Sequence, residues 1–270
     1  MTEKRDDAAS VAPSRGPRIP VTRARALRTA VALADAGGIE SLSMRRLAGE
    51  LGIEAMSLYH HVESKDDILD GMIDLVSAEM ELPVGGEEWR SGMRRRAVST
   101  RAVLAAHPWA IGIFDSRTSP GPATLHHLDG AIAFLRGAGF SISMAAHALS
   151  ILDSYVRGFA MQEATLPLDA SGSIEAATED ILEQRNMMSG AFPYLAEMAE
   201  KLILQPGYAY GNEFEFGIGL ILDGLDAALR SEVDSSGGGP GRAGAAVPGS
   251  TPAEARVPPG RAGTADTRRA

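Results

Sequence analysis

Along residues 22–76, apolar positions recur at the three- and four-residue spacing of helices that bury one face. The first run, 22–36, has Ala26, Leu27, Ala30, Val31, Leu33 and Ala34 as its apolar stripe, and Gly37-Gly38 supplies a left-handed stop. A second, short helix is predicted after Ser43, whose hydroxyl suits an N-cap; it buries Leu47 and Leu51 and ends at Gly52. A third begins near Glu54 and turns Leu58 and Val62 inward. Ser64 then caps a fourth, with Asp66 and Asp67 in the first turn, where the helix dipole favours negative charge. This helix continues through Ile68, Leu69, Met72, Ile73, Leu75 and Val76, and Pro83-Val84-Gly85-Gly86 separates it from the rest.

Beyond that break the same periodicity predicts helices at 87–106, stopping at His107-Pro108, and then a short one through Phe114. Further helices are expected at 122–136, 143–164 (with Ser141 or Ser143 as cap), 178–188, 193–203 and 212–232. Alternating strand patterns and internal repeats are lacking. The expected fold is therefore all-α: a three-helix N-terminal domain at 21–66, joined by the fourth helix to a larger helical domain at 67–232. Residues 1–20, with Pro13, Pro17 and Pro20, are expected to form a disordered basic arm. Residues 233–270, rich in Gly, Pro, Ala and Arg, are expected to form a disordered tail. Its Arg242, Arg256, Arg261, Arg268 and Arg269 leave a nucleic-acid tether as the alternative.

Composition narrows the setting. With no Cys, neither disulfides nor thiolate chemistry can operate. No apolar stretch is long and uncharged enough to span a bilayer, and the N-terminus shows no signal-peptide core, so a cytoplasmic protein without a membrane partner is expected. The net charge of −9 argues against nucleic acid until it is divided along the chain. Residues 15–65 hold eight Lys/Arg against five Asp/Glu, whereas residues 66–233 hold 11 against 24. A basic head can meet phosphate while the acidic body stays off it.

Residues 43–61 have the pattern of a helix-turn-helix. Leu47, Ala48, Leu51, Ile53 and Leu58 can pack two short helices together across Gly52, leaving Ala55, Met56, Ser57, Tyr59 and His61 to project outward from a recognition helix in the major groove. Many helical pairs share this geometry, and Tyr59 could equally be a half-buried packing residue. Arg23, Arg25 and Arg28 read either as a solvated face or as a mobile start that reaches an adjacent groove. His60-His61 and His126-His127 are not metal pairs, because helical neighbours point about 100° apart.

The run from Leu42 to Lys65 resembles the N-terminal domain of the TetR family, whose pattern is Thr/Ser-x-x-x-Leu-Ala-x-x-Leu-Gly-Val/Ile, then Leu-Tyr-x-His-Phe/Val-x-x-Lys. Glu88-Trp89-Arg90, Ala106-His107-Pro108, Ala133-Phe134-Leu135 with Gly139-Phe140, and Phe214-Glu215-Phe216-Gly217 with Leu222-Asp223-Gly224-Leu225 resemble the C-terminal domain of its tetracycline-repressor branch. The resemblance implies a homodimer that binds a palindromic operator on double-stranded DNA and is released by a small-molecule effector. It makes Arg45 a base reader, Ser43, Ser57 and Tyr59 contacts to backbone or base edges, His61 a donor, and Lys65 a phosphate contact. Ala55 and Met56 depart from that branch's more polar residues and suit thymine methyls instead. Control by a protein partner rather than a small molecule is the alternative.

Candidate effector contacts are Arg96, Thr100, Val103, Phe114, Thr118, His127, Phe134, His147, Tyr155 and Met187, chosen as inward positions that mix polar and apolar groups. For Val103, Phe134 and Met187, ordinary core is the competing reading. The branch's drug–magnesium site is not reproduced: Met80 and Glu81 stand where a His is needed, another His is missing near Phe114-Asp115, and other drug-contact positions hold Arg96, Thr100 and Ala131. An effector other than tetracycline–magnesium is therefore expected, with no metal and no cofactor. Phe214, Ile218, Ile221, Leu222 and Leu225 form the predicted dimerisation stripe, with Gly217, Gly219 and Gly224 allowing close approach, although an intrachain core would show the same pattern. His147, Ser150 and Asp153 lie on one helix rather than converging from different elements, so no catalytic site is expected.

Overall fold

The structure is a computed structural model and describes residues 20–114, 116, 117, 119–166 and 191–237. Among them are the helices α1 (Arg23–Gly37), α2 (Met44–Leu51), α3 (Ala55–Leu58), α4 (Lys65–Ala78), α5 (Trp89–Ala106), α6 (Pro108–Phe114), α7 (Pro122–Gly137), α8 (Ile142–Thr165), α9 (Pro193–Met198) and α10 (Gly211–Gly237), and no strand. The expected all-α class is observed. The predicted helix at 178–188, residues 1–19 and residues 238–270 lie outside the described residues, and α10 runs on to Gly237, so residues 233–237 are helical rather than part of the expected tail.

Local chemistry explains the boundaries. Side-chain oxygens of Thr22, Ser43 and Ser64 accept from the backbone N–H of Arg25, Arg46 and Asp67, each three residues on, satisfying a donor that the first turn leaves unpaired. Ser141, not Ser143, caps α8, by accepting from Met144 N–H. The helix predicted from 87 begins at Trp89, because the Glu88 carboxylate accepts from Arg90 N and Ser91 N and so occupies the cap. Gly52 closes α2 in the left-handed conformation at φ 72° and ψ 30°, which a side chain would strain. The run at 193–203 divides into α9 and a π-helical turn over Ala199–Ile203. Ser64→Ala should cost about 1 kcal/mol in urea unfolding, the usual worth of such a cap.

The head is built on Ala26, Ala30, Leu47, Leu51, Leu58 and Val62, all buried. Leu27 of α1 lies so close to Gly71 of α4 that a Cβ at Gly71 would come within 2.7 Å of both Leu27 methyl carbons. In the body, α8 runs against α5, α6, α7 and α10, while α4 packs on α1, α6 and α7 and so belongs to both parts. Tyr155 stacks on Phe214 with centroids 5.6 Å apart, and the Arg101 guanidinium lies over the Phe159 and Phe214 rings.

Burial corrects the predicted dimerisation stripe. Phe214, Ile218 and Leu222 are fully buried within the chain and Leu225 is 5 % exposed, so these residues form intrachain core. Ile221 is half-buried at the edge of a surface groove. Gly217 makes room for this chain's own Tyr155, whose hydroxyl a Cβ would overlap and which donates to the carbonyls of Glu213 and Phe214. The last helix is apolar on more than one face, and only packing shows which face turns inward.

Candidate nucleic-acid interface and internal cavity

In the head, α2 and α3 meet across Gly52, with Leu47, Ala48, Leu51 and Leu58 buried between them and α1. Ser43, Arg45, Met56, Ser57, Tyr59 and Lys65 are exposed; Met56 is 74 % and Tyr59 47 % accessible, so Tyr59 is not spent on the core. His61 is half-exposed. Ala55 is half-buried and packs on the core, which leaves it less surface than predicted. The recognition segment is also tighter than one continuous helix: α3 ends at Leu58, and His60 and His61 donate to the carbonyls three residues back, at Ser57 and Leu58. Arg23 is not a mobile start, since it sits in α1 and pairs with Asp67 of α4.

Where α4, α5, α6, α7 and α8 converge, the body holds a cavity of about 140 Å³. Its polar wall contains Arg96, Thr100, His127 and Asp153, and its apolar wall contains Met80, Leu104, Phe114 and Leu128. Arg96 is 4 % exposed; its Nη1 donates to Asp153 Oδ1 at 2.7 Å and its Nε to His127 Nε2 at 3.1 Å. Burial, reinforced by the Arg96 charge, pushes the His127 pKa down to about 4, so the ring is neutral and, with Nε2 accepting, carries its proton on Nδ1. Among the described residues, Thr100 Oγ1 is buried without a hydrogen-bond partner. A buried hydroxyl is costly to leave unpaired, so this wall suits a polar group on a bound molecule.

The cavity touches α4 through hydrogen bonds. Thr124 at the start of α7 donates its backbone N–H to Asp74 Oδ1 and its hydroxyl to Ser77 Oγ, both at 2.9 Å, and Ser77 in turn donates to the Ile73 carbonyl. Nearer the head, Arg117 pairs with Asp66 and Asp70. Asp66, Asp70 and Asp74 stand four residues apart, on one face of α4; the first two are held by Arg117, beyond the end of α6, and the third by Thr124 of α7.

Known proteins share this architecture. Residues 26–72 match the model of the bacterial regulatory proteins of the tetR family, and residues 82–229 match that of the tetracyclin repressor-like C-terminal domain. The chain belongs to the TetR family. Over 227 residues it is 34% identical to the HTH-type transcriptional repressor DrrR1 of Streptomyces coeruleorubidus, covering 80% of this chain and 82% of that one. Over 207 residues it is 29% identical to the class C tetracycline repressor protein of Escherichia coli, covering 76% and 90%. Apo ActR from Streptomyces coelicolor superposes with a TM-score of 0.66 at 27% identity, covering 79% of this chain and 99% of that one. ActR in complex with actinorhodin does so with a TM-score of 0.63 at 29% identity, covering 78% and 99%. This TetR-family chain is a DNA-binding transcription regulator of the helix-turn-helix type.

Within this TetR-family body, Arg96, Thr100, Phe114 and His127 line the cavity as predicted from sequence. Four other candidates lie elsewhere. Val103 faces a shallow groove on another side of α5, Phe134 packs against Gly92, and Tyr155 belongs to the aromatic cluster. His147 is exposed on the outer side of α8, 3.3 Å from Ser143 Oγ. Thr118 and Met187 lie outside the described residues. Ser77, Met80, Leu104, Thr124, Leu128, Asp153 and Arg157 also line the cavity but were not among the candidates from sequence. Their spacing held a signal: 96, 100 and 104, 124 and 128, and 153 and 157 are each four apart, hence on one helical face. No helix among the described residues is long and apolar enough to cross a membrane.

Proposed function

We propose that this chain is a homodimeric repressor that binds an inverted-repeat operator and is released by a small-molecule effector held in the α4–α8 cavity. The observation that carries this reading is the position of α4: it begins at Lys65 beside the exposed recognition segment and ends at Ala78, with Ser77 in its last turn and Met80 just beyond it in the cavity wall. An effector that binds better when α4 has shifted would draw the heads away from the spacing of about 34–36 Å that one turn of DNA demands. DrrR1 is a repressor and ActR is known with actinorhodin bound, which supports both halves of the proposal. Arg45, Ser43, Ser57, Tyr59, His61 and Lys65 would make the DNA contacts, with Met56 and the exposed part of Ala55 against apolar base edges.

The partner would be a second copy, seated on the outer faces of α8 and α10. Ile142, Ile151, Phe216 and Leu220 expose 65%, 47%, 67% and 57% of their surface, too much apolar area to leave in water. Phe216, Leu220 and Gly224 follow one another at four-residue spacing, and a groove of about 400 Å³ runs beside them with His147 and Ile221 in its walls. Packing these helices on their equivalents gives a four-helix, self-complementary interface.

The test selects duplexes from a random-sequence pool with the full-length protein. Recovered sequences should carry an inverted repeat, and binding should weaken steeply with salt. Leu220→Glu with Ile151→Glu should convert a sedimenting dimer into a monomer and abolish binding to the full repeat. Selection of no common sequence, or a wild-type monomer at tens of micromolar, would overturn the proposal.

A further inference from the structure

At the junction of head and body, His107 lies between two carboxylates from distant parts of the chain. Its Nδ1 is 2.7 Å from Asp35 Oδ1 near the end of α1, and its Nε2 is 3.1 Å from Glu79 Oε2 at the end of α4. The Trp109 indole N–H donates to the same Asp35 oxygen at 2.7 Å. Ionised carboxylates only accept, so satisfying both contacts requires a proton on each ring nitrogen. Both His107 and Trp109 are 8 % exposed. Glu81 and Arg95, the other charged groups in the neighbouring groove, pair with each other at 3.4 Å.

Resting on the reading of this chain as an operator-binding protein, we propose that His107, as an imidazolium, is the positioning residue that fixes the head against the body by latching the ends of α1 and α4 to the α5–α6 corner. Three helices of the latch are also cavity walls. Glu79 lies between Ser77 and Met80, His107 is three residues past Leu104, and Trp109 shares α6 with Phe114. The cavity, of about 140 Å³, is bounded by these same helices and is partly open to solvent. An effector that spreads its walls works against the latch, and in this proposal the latched arrangement is the operator-competent one. Neutral imidazole has a single N–H and can hold only one of the two carboxylates, so loss of the proton weakens the latch.

The sign of the pH dependence follows. Burial pulls the His107 pKa down, but the hydrogen bonds and charges of Asp35 and Glu79 together hold it above the ordinary 6.5. A group whose pKa is raised in the latched state favours that state at low pH, and the advantage disappears as pH rises through the raised value. Operator binding is therefore expected to be tightest on the acid side of that value and looser above it.

The experiment uses the full-length protein and a duplex that the wild type itself selects from a random pool, at constant ionic strength. Between pH 6 and pH 8.5, wild-type affinity should fall about fivefold more than that of His107→Gln, a difference at the low end of common coupling factors. Comparing against His107→Gln isolates the part of the pH dependence that needs His107. Trp109 emission, isolated by subtracting Trp109→Phe, should titrate with the same midpoint, above 6.5, and stop titrating in His107→Gln. Glu79→Gln, a change at a half-exposed carboxylate, should lower that midpoint and so provides a second measurement if His107→Gln folds poorly. Identical pH profiles for wild type and His107→Gln, or a Trp109 emission that does not titrate, would overturn the latch. Failure to select any duplex would count against DNA binding, while the emission titration would still decide the latch.

Discussion

Asp153→Ala is expected to destabilise the fold by about 3–5 kcal/mol, the usual result of removing one partner from a buried ion pair. The Arg96 side chain is 5% exposed and that of Asp153 20%, and they meet at 2.7 Å. After the substitution the guanidinium keeps only the neutral His127 nitrogen among its observed partners, a poor exchange for a carboxylate. Most of the loss comes from the stranded charge rather than from the bond itself, which makes a specific test possible. Replacing both residues with apolar ones of similar volume, Arg96→Met with Asp153→Leu, should recover most of the stability while abolishing effector recognition. Urea midpoints at fixed protein concentration and unchanged m-value would report this. A single substitution that costs under 1 kcal/mol would show that solvent reaches the pair and that the cavity wall is not dry.

Arg45→Ala should weaken operator binding by about 1–3 kcal/mol per subunit if its guanidinium holds a guanine bidentately. In a two-fold complex the change occurs twice, so roughly 2–6 kcal/mol, or a thirtyfold loss and more, is expected. Arg45 is exposed on α2, so its removal should leave folding and dimerisation intact. Lys65→Ala provides the contrast. As a phosphate contact it should weaken all duplexes alike and lower the salt slope by about one per lysine removed, whereas Arg45→Ala should relax preference at one base pair of each half-site. If Arg45→Ala weakened all sequences equally, its role would be that of another phosphate contact.

The head was more legible than the body because its signals are local. Caps at Ser43 and Ser64, the glycine at 52 and the four-residue spacing of apolar positions act within a few residues of one another, and the structure reproduces them. The recognition segment was read as slightly too long, since nothing in the local pattern showed that it would tighten after Leu58. In the body, helix positions were largely legible but helix rotation was not. Val103, Phe134, His147 and Tyr155 are all on predicted helices, yet none faces the cavity. An apolar or amphipathic residue fits a cavity, a core or an interface equally well, and the choice depends on what lies opposite.

The sequence by itself determined the all-helical class and the helix-turn-helix pattern with Arg45, Tyr59 and Lys65 at outward positions, and it put Arg96, Thr100, Phe114 and His127 on inward helical faces. These follow from interactions between residues close along the chain or from an ordered motif. Tertiary structure alone decided that Asp153 pairs with Arg96, that Phe214 and Ile218 face inward while Phe216 and Leu220 face outward, and that His107 joins Asp35 to Glu79. The residues in these contacts stand as much as 72 positions apart, and their relative orientation is set by how whole helices pack. Each helix presents several faces, and its sequence does not record the rotation that packing selects.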